Sequence, residues 1–89
     1  MSYQLDLSDT AKKDINAFKK SGNKNILKKI NRLLSEIIDH PYRGTGKPEQ
    51  LKHEFSGYFS RRINKEHRII YEVLEEENKV VVLSLKGHY

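Results

Sequence analysis

The chain has 89 residues, 17 Lys+Arg against 12 Asp+Glu, and no cysteine. That length predicts one small domain over residues 1–89, and the absence of thiols excludes a disulfide framework and any cysteine-ligated metal. The formal charge of +5 favours polyanionic partners, and an apolar share of 36% gives a compact but thin core that would gain from an interface.

The longest apolar run is Val80 to Leu83, too short to span a membrane. Met1-Ser2-Tyr3-Gln4-Leu5-Asp6 has no basic stretch leading into an apolar one, which argues against a secretory signal. Tyr3 to Leu7 alternates apolar and polar, as a short half-buried strand does. Ser8 and Asp9 then offer cap oxygens for a helix. Its stripe is Ala11, Ile15 and Phe18, and it ends near Ser21-Gly22, with the glycine past the cap. A second helix starts near Asn23 or Asn25. Ile26, Leu27, Ile30, Leu33, Leu34, Ile37 and Ile38 make a sustained helical stripe that Pro41 stops. Lys24, Lys28, Lys29 and Arg32 lie largely off that stripe and read as a solvated face. Tyr42 to Glu49 is a Gly/Pro-rich loop. Strands follow at Tyr58 to Ile63, His67 to Leu74 and Val80 to Lys86, joined by turns at Asn64-Lys65-Glu66 and Glu75 to Lys79. The order β-α-α-β-β-β predicts an α+β domain, a mainly antiparallel sheet with both helices on one face.

Strand register sorts the charges. A three-residue turn at 64–66 pairs Ile63 with His67 and Arg62 with Arg68, and a five-residue turn at 75–79 pairs Leu74 with Val80. Phe59, Ile63, Ile69, Tyr71, Val73, Val81, Leu83 and Leu85 then face the helices. Tyr58, Ser60, Arg62, Arg68, Glu72, Lys86 and His88 share the opposite face. Arg62 directly across from Arg68 is destabilising unless an anion answers the pair. Glu72, Glu49 or Glu66 could do so internally; a bound phosphate is the alternative.

No nucleophile motif and no phosphate-cradling loop is present. His40, His53, His67 and His88 show no metal-ligand spacing, so no metal or cofactor is expected. His40 and His53 read as solvated, and His67 falls on the core face. Glu49, Lys52, Arg62, Arg68 and His88 remain, a sufficient set for cleaving RNA through its own 2′-hydroxyl. That reaction needs a base, an acid for the leaving 5′-oxygen, and cations on the phosphate.

Gly44-Thr45-Gly46-Lys47-Pro48-Glu49-Gln50-Leu51-Lys52, Ser60-Arg61-Arg62-Ile63, Glu66-His67-Arg68-Ile69-Ile70-Tyr71 and the terminal His88-Tyr89 resemble the YoeB branch of the RelE-like toxins of bacterial toxin–antitoxin systems. The resemblance implies a RelE-like fold and a bacterial cytoplasmic endoribonuclease that cuts mRNA in the ribosomal A site and inhibits translation. By it, Glu49 is the general base, His88 the general acid, and Arg68 the group on the scissile phosphate. Lys52 and Arg62 assist in binding, Tyr89 holds or stacks on the message, and Tyr58 is a further stacking candidate. It also implies a cognate antitoxin and a homodimer. A non-catalytic RNA- or ribosome-binding module of the same fold is the alternative. A DNA-binding repressor is disfavoured, because no helix-turn-helix with a basic recognition helix is present.

Overall fold

A computed structural model of the chain describes residues 2–46, 48–51 and 57–87. Strand β1 (Gln4–Leu7) leads into helices α1 (Asp9–Lys20) and α2 (Lys24–Asp39). The short β2 (Glu49–Gln50), β3 (Tyr58–Arg62), β4 (Arg68–Leu74) and β5 (Lys79–Ser84) follow. The strands form one five-stranded sheet in the order β1-β5-β4-β3-β2. β1 runs parallel to β5 and every other pairing is antiparallel, so the sheet is mixed.

The caps expected from sequence are in place. Ser8 Oγ accepts from Ala11 N–H at 3.0 Å and donates to the Leu83 carbonyl at 2.8 Å, which ties the start of α1 to β5. Asn23 Oδ1 accepts from Ile26 N–H at 3.1 Å at the start of α2. Removing such a cap costs about 1 kcal/mol. Gly22 follows α1 in the left-handed region, at φ +74°. The core packs Ala11 and Phe18 of α1 and Ile30, Leu33 and Ile37 of α2 against Ile63, Ile69, Tyr71, Val80, Val82 and Leu85. No helix among the described residues is long and apolar enough to cross a membrane.

The β3–β4 hairpin has the expected register, with Arg62 opposite Arg68 and Tyr58 opposite Glu72. The β4–β5 hairpin does not. Glu75–Glu77 wind into a 3₁₀ turn closed by Asn78 at φ 53°, so Leu74 faces Lys79 and Val73 faces Val80. Val80 and Val82, both 0% exposed, therefore point inward in place of Val81 and Leu83. Carried to the end of the strand, that one-residue slip would bury Lys86 instead of Leu85. A bulge between Ile70 and Tyr71 prevents it. Tyr71 pairs with Val82 but Ile70 with Ser84, leaving Leu83 unpartnered. The alternation is reset, so Leu85 is buried and Lys86 exposed.

A second correction concerns Glu49. It is not a loop residue but the first residue of β2, opposite Ser60. A two-residue strand has no periodicity to read.

Candidate active site

The segment 40–46 that delivers Glu49 to the sheet is built around a buried cation. Arg61 lies on the helix side of β3 between Phe59 and Ile63 and is 0% exposed. Its Nη2 donates to the carbonyls of His40 and of Arg43, the latter at 2.6 Å, and its Nη1 to the carbonyl of Thr45 at 3.4 Å. Its Nε donates to the Tyr71 hydroxyl at 3.3 Å, which in turn donates to the Pro41 carbonyl at 2.5 Å. Glu36 of α2 supplies the counter-charge at 3.7 Å and accepts from Thr45 N–H at 3.0 Å. The Thr45 amide, helped by the Arg61 charge, holds the Glu36 carboxyl below its ordinary range. Sequence reading missed Arg61, although strand parity with Phe59 and Ile63 was the available signal.

Two glycines let this loop approach. A Cβ on Gly44 would lie 2.8 Å from Glu36 Oε1 and 2.9 Å from Arg61 Nη1. One on Gly46 would lie 2.8 Å from the Arg62 carbonyl. Gly46 closes onto β3 by accepting from Arg62 N–H at 2.8 Å. At the other end of the segment, Tyr42 packs edge-on to Phe59 at 5.2 Å. Its hydroxyl donates to Glu75 Oε1 at 2.5 Å, beside a 2.6 Å bond from Tyr3. These two hydroxyls lower the Glu75 carboxyl. Desolvation first, then the bond to Glu75, pushes the Tyr42 hydroxyl far above its ordinary value.

Because Arg61 faces α2, the residues alternating with it face away from the helices. Tyr58, Ser60 and Arg62 therefore share the side away from the helices, where Ser60 and its partner Ile70 are buried. Directly paired residues project to the same side, so Glu49 joins Ser60 there and Arg68 joins Arg62. Glu49 is flanked diagonally by Tyr58 and Arg62, at the about 7–8 Å typical of diagonal neighbours. The Arg62 amide donates to Gly46 and the Arg68 amide to Gly87, so neither bonds across β3–β4. The arginines thus form a non-hydrogen-bonded pair, the kind whose Cα atoms stand about 4.5 Å apart and whose side chains come closest. Among the described residues neither arginine has a carboxylate within salt-bridge distance. A hollow of about 420 Å³ lined by Lys29, Arg62 and Lys65 carries the positive surface round the end of β3 towards α2.

Glu49, Tyr58, Arg62 and Arg68 are thus brought to one face, Glu49 and Arg62 exposed, Tyr58 and Arg68 partly covered. Lys52, His88 and Tyr89 lie outside the described residues. Gly87, the last described residue, accepts from the Arg68 amide at 3.1 Å, so the described part of the C-terminal segment ends beside that arginine.

Two helices on one side of a mixed sheet are the fold this chain shares with solved YoeB- and RelE-type toxin structures. The chain belongs to the YoeB-like toxins of bacterial type II toxin–antitoxin systems, whose family model matches residues 7–89. The toxin YoeB of Synechocystis is 45% identical over 67 residues, covering 75% of this chain and 76% of the relative. A YoeB dimer from Staphylococcus aureus matches with a TM-score of 0.86 at 40% identity, over 100% of both chains. A heterotetrameric YoeB–YefM toxin–antitoxin complex from the same species matches at 0.84 and 40%, again over 100% of both chains.

Proposed function

We propose that this toxin is a ribosome-dependent endoribonuclease that cleaves mRNA in the A site and so blocks translation. The observation that carries the reading is the Arg62–Arg68 pair, unanswered by any described carboxylate, with Glu49 on the same face one strand away. Like charges held together in this way favour a bound anion, and a carboxylate beside a phosphate site is placed to act as a base.

In the proposed reaction Glu49 takes the proton of the ribose 2′-hydroxyl, and the 2′-oxygen attacks the adjacent phosphorus. The bond to the 5′-oxygen breaks, and His88 protonates that leaving oxygen. The products are a 2′,3′-cyclic phosphate, which water can open to a 3′-phosphate, and a 5′-hydroxyl. Arg68 neutralises charge developing on the phosphate, with Arg62 and Lys52 assisting. Tyr89 and Tyr58 hold or stack on the message. Side chains fill all three roles. We further assign the toxin to the bacterial cytoplasm as a single domain over residues 1–89, with a cognate antitoxin and a second copy as protein partners.

Single-turnover cleavage of ribosome-bound message tests the assignment. His88→Ala is expected to slow it by ~100-fold or more; a loss below about threefold would remove His88 from the acid role. Glu49→Gln should fall comparably. If both variants stay fully toxic while Arg62→Ala and Arg68→Ala abolish toxicity, the face is a binding module without catalysis.

A further inference from the structure

The sheet ladder ends at Ser84, yet the segment leading to His88 is not left loose. Leu85 N–H donates to Asp14 Oδ2 of α1 at 2.9 Å. Gly87 N–H donates to His67 Nδ1 at 2.8 Å, and the Gly87 carbonyl accepts from Arg68 N–H at 3.1 Å. A side chain of α1 and one from the connection before β4 thus take over where strand pairing stops. His67 is itself anchored. Its ring meets Phe18 edge-on at 5.1 Å, and Phe18 is 5% exposed in the core under α1. For Nδ1 to accept, the imidazole must keep that nitrogen unprotonated and carry its hydrogen on Nε2, which lies 3.8 Å from Glu66 Oε2.

We propose that His67 is a positioning residue of the cleavage site: through Nδ1 it holds Gly87 against the start of β4, so that the segment carrying the acid and the arginine on the phosphate share one frame. The proposal rests on reading His88 as the general acid. In that role His67 acts through Gly87 and needs no contact of its own with RNA or the reacting atoms. Its importance follows from how steeply rate depends on placement, since a displacement of about 1 Å can cost a factor of about 100.

Two substitutions separate anchoring from packing. His67→Asn puts an acceptor oxygen on the same branch atom that carries Nδ1 but gives up the ring on Phe18. His67→Phe keeps the ring contact and places a C–H where the acceptor was. Positioning predicts that His67→Phe slows single-turnover cleavage about tenfold with unchanged ribosome binding, and that His67→Asn stays within about threefold of the unsubstituted toxin. A packing role predicts the opposite order. Amide hydrogen exchange at Gly87, read by NMR on the same proteins, should show protection in the unsubstituted toxin and His67→Asn, and its loss in His67→Phe. Cleavage by His67→Phe at least equal to that by His67→Asn would overturn the proposal, as would unchanged Gly87 exchange in His67→Phe. If the unsubstituted toxin cuts no message, the nuclease reading fails and the positioning role of His67 in cleavage fails with it. The exchange data then decide separately whether His67 anchors Gly87.

Discussion

Arg61 shows how one buried side chain can prepare a site it does not enter. Charged residues are almost never fully buried unless paired, and here the carbonyls of His40, Arg43 and Thr45 together with Glu36 satisfy the guanidinium. The arrangement shapes the segment that leads to Glu49. Arg61→Met would leave Glu36 without its counter-charge and the carbonyls without their donor. We expect a loss of about 1–3 kcal/mol, the cost of leaving buried acceptors without their donor, read by denaturant unfolding. A change below about 1 kcal/mol would show that water replaces the guanidinium easily. Gly46→Ala is expected to destabilise as well, since its Cβ would stand 2.8 Å from the Arg62 carbonyl at a φ of +87°. Neither effect was legible from composition. An arginine in a basic stretch reads as surface, and only strand parity pointed inward.

At the scale of elements, legibility tracked the kind of turn. Both helices follow from a 3.6-residue apolar period with Ser8 and Asn23 as caps. The β3–β4 register follows from a short turn with hydrophobic residues on both sides. The β4–β5 register does not, because a 3₁₀ turn and a bulge are backbone events without a hydrophobic signature. The site splits the same way. The register placed Arg62 and Arg68 opposite one another, whereas Glu49, on a two-residue strand, was singled out only by its motif. Asn78 gives the turn a direct test. At φ 53°, Asn78→Gly should be tolerated, while a β-branched residue should cost about 1–2 kcal/mol. Equal stability of Asn78→Gly and Asn78→Val would contradict the turn described. The carboxylates that clamp segment 40–46 give a second test. Glu36 and Glu75 both have folded pKa values below the ordinary 4.5. Their contribution is therefore complete above that value and is lost as the pH falls through the lower folded values. A Glu36→Gln/Glu75→Gln double variant should start less stable and lose less on acidification from pH 6 to pH 3. Parallel losses in thermal melts would count against the clamp.

Over the whole molecule, the +5 surplus is localised rather than spread evenly. Between Arg43 and Arg68 there are seven Lys and Arg against three Glu, and the fold turns Arg62 and Arg68 to the side away from the helices. Binding to ribosomes should therefore weaken with rising salt through counterion release, and Arg62→Ala should flatten the log–log slope by about 0.7–1. A salt-independent affinity would mean that this face is not the one engaged. Whether this face cuts translated message is read most directly by inducing the toxin in bacteria and sequencing RNA 5′-ends. Growth arrest with new 5′-hydroxyl ends at A-site codons is expected, with neither seen when Glu49→Gln is induced instead. Intact messages during the arrest would contradict cleavage by this face.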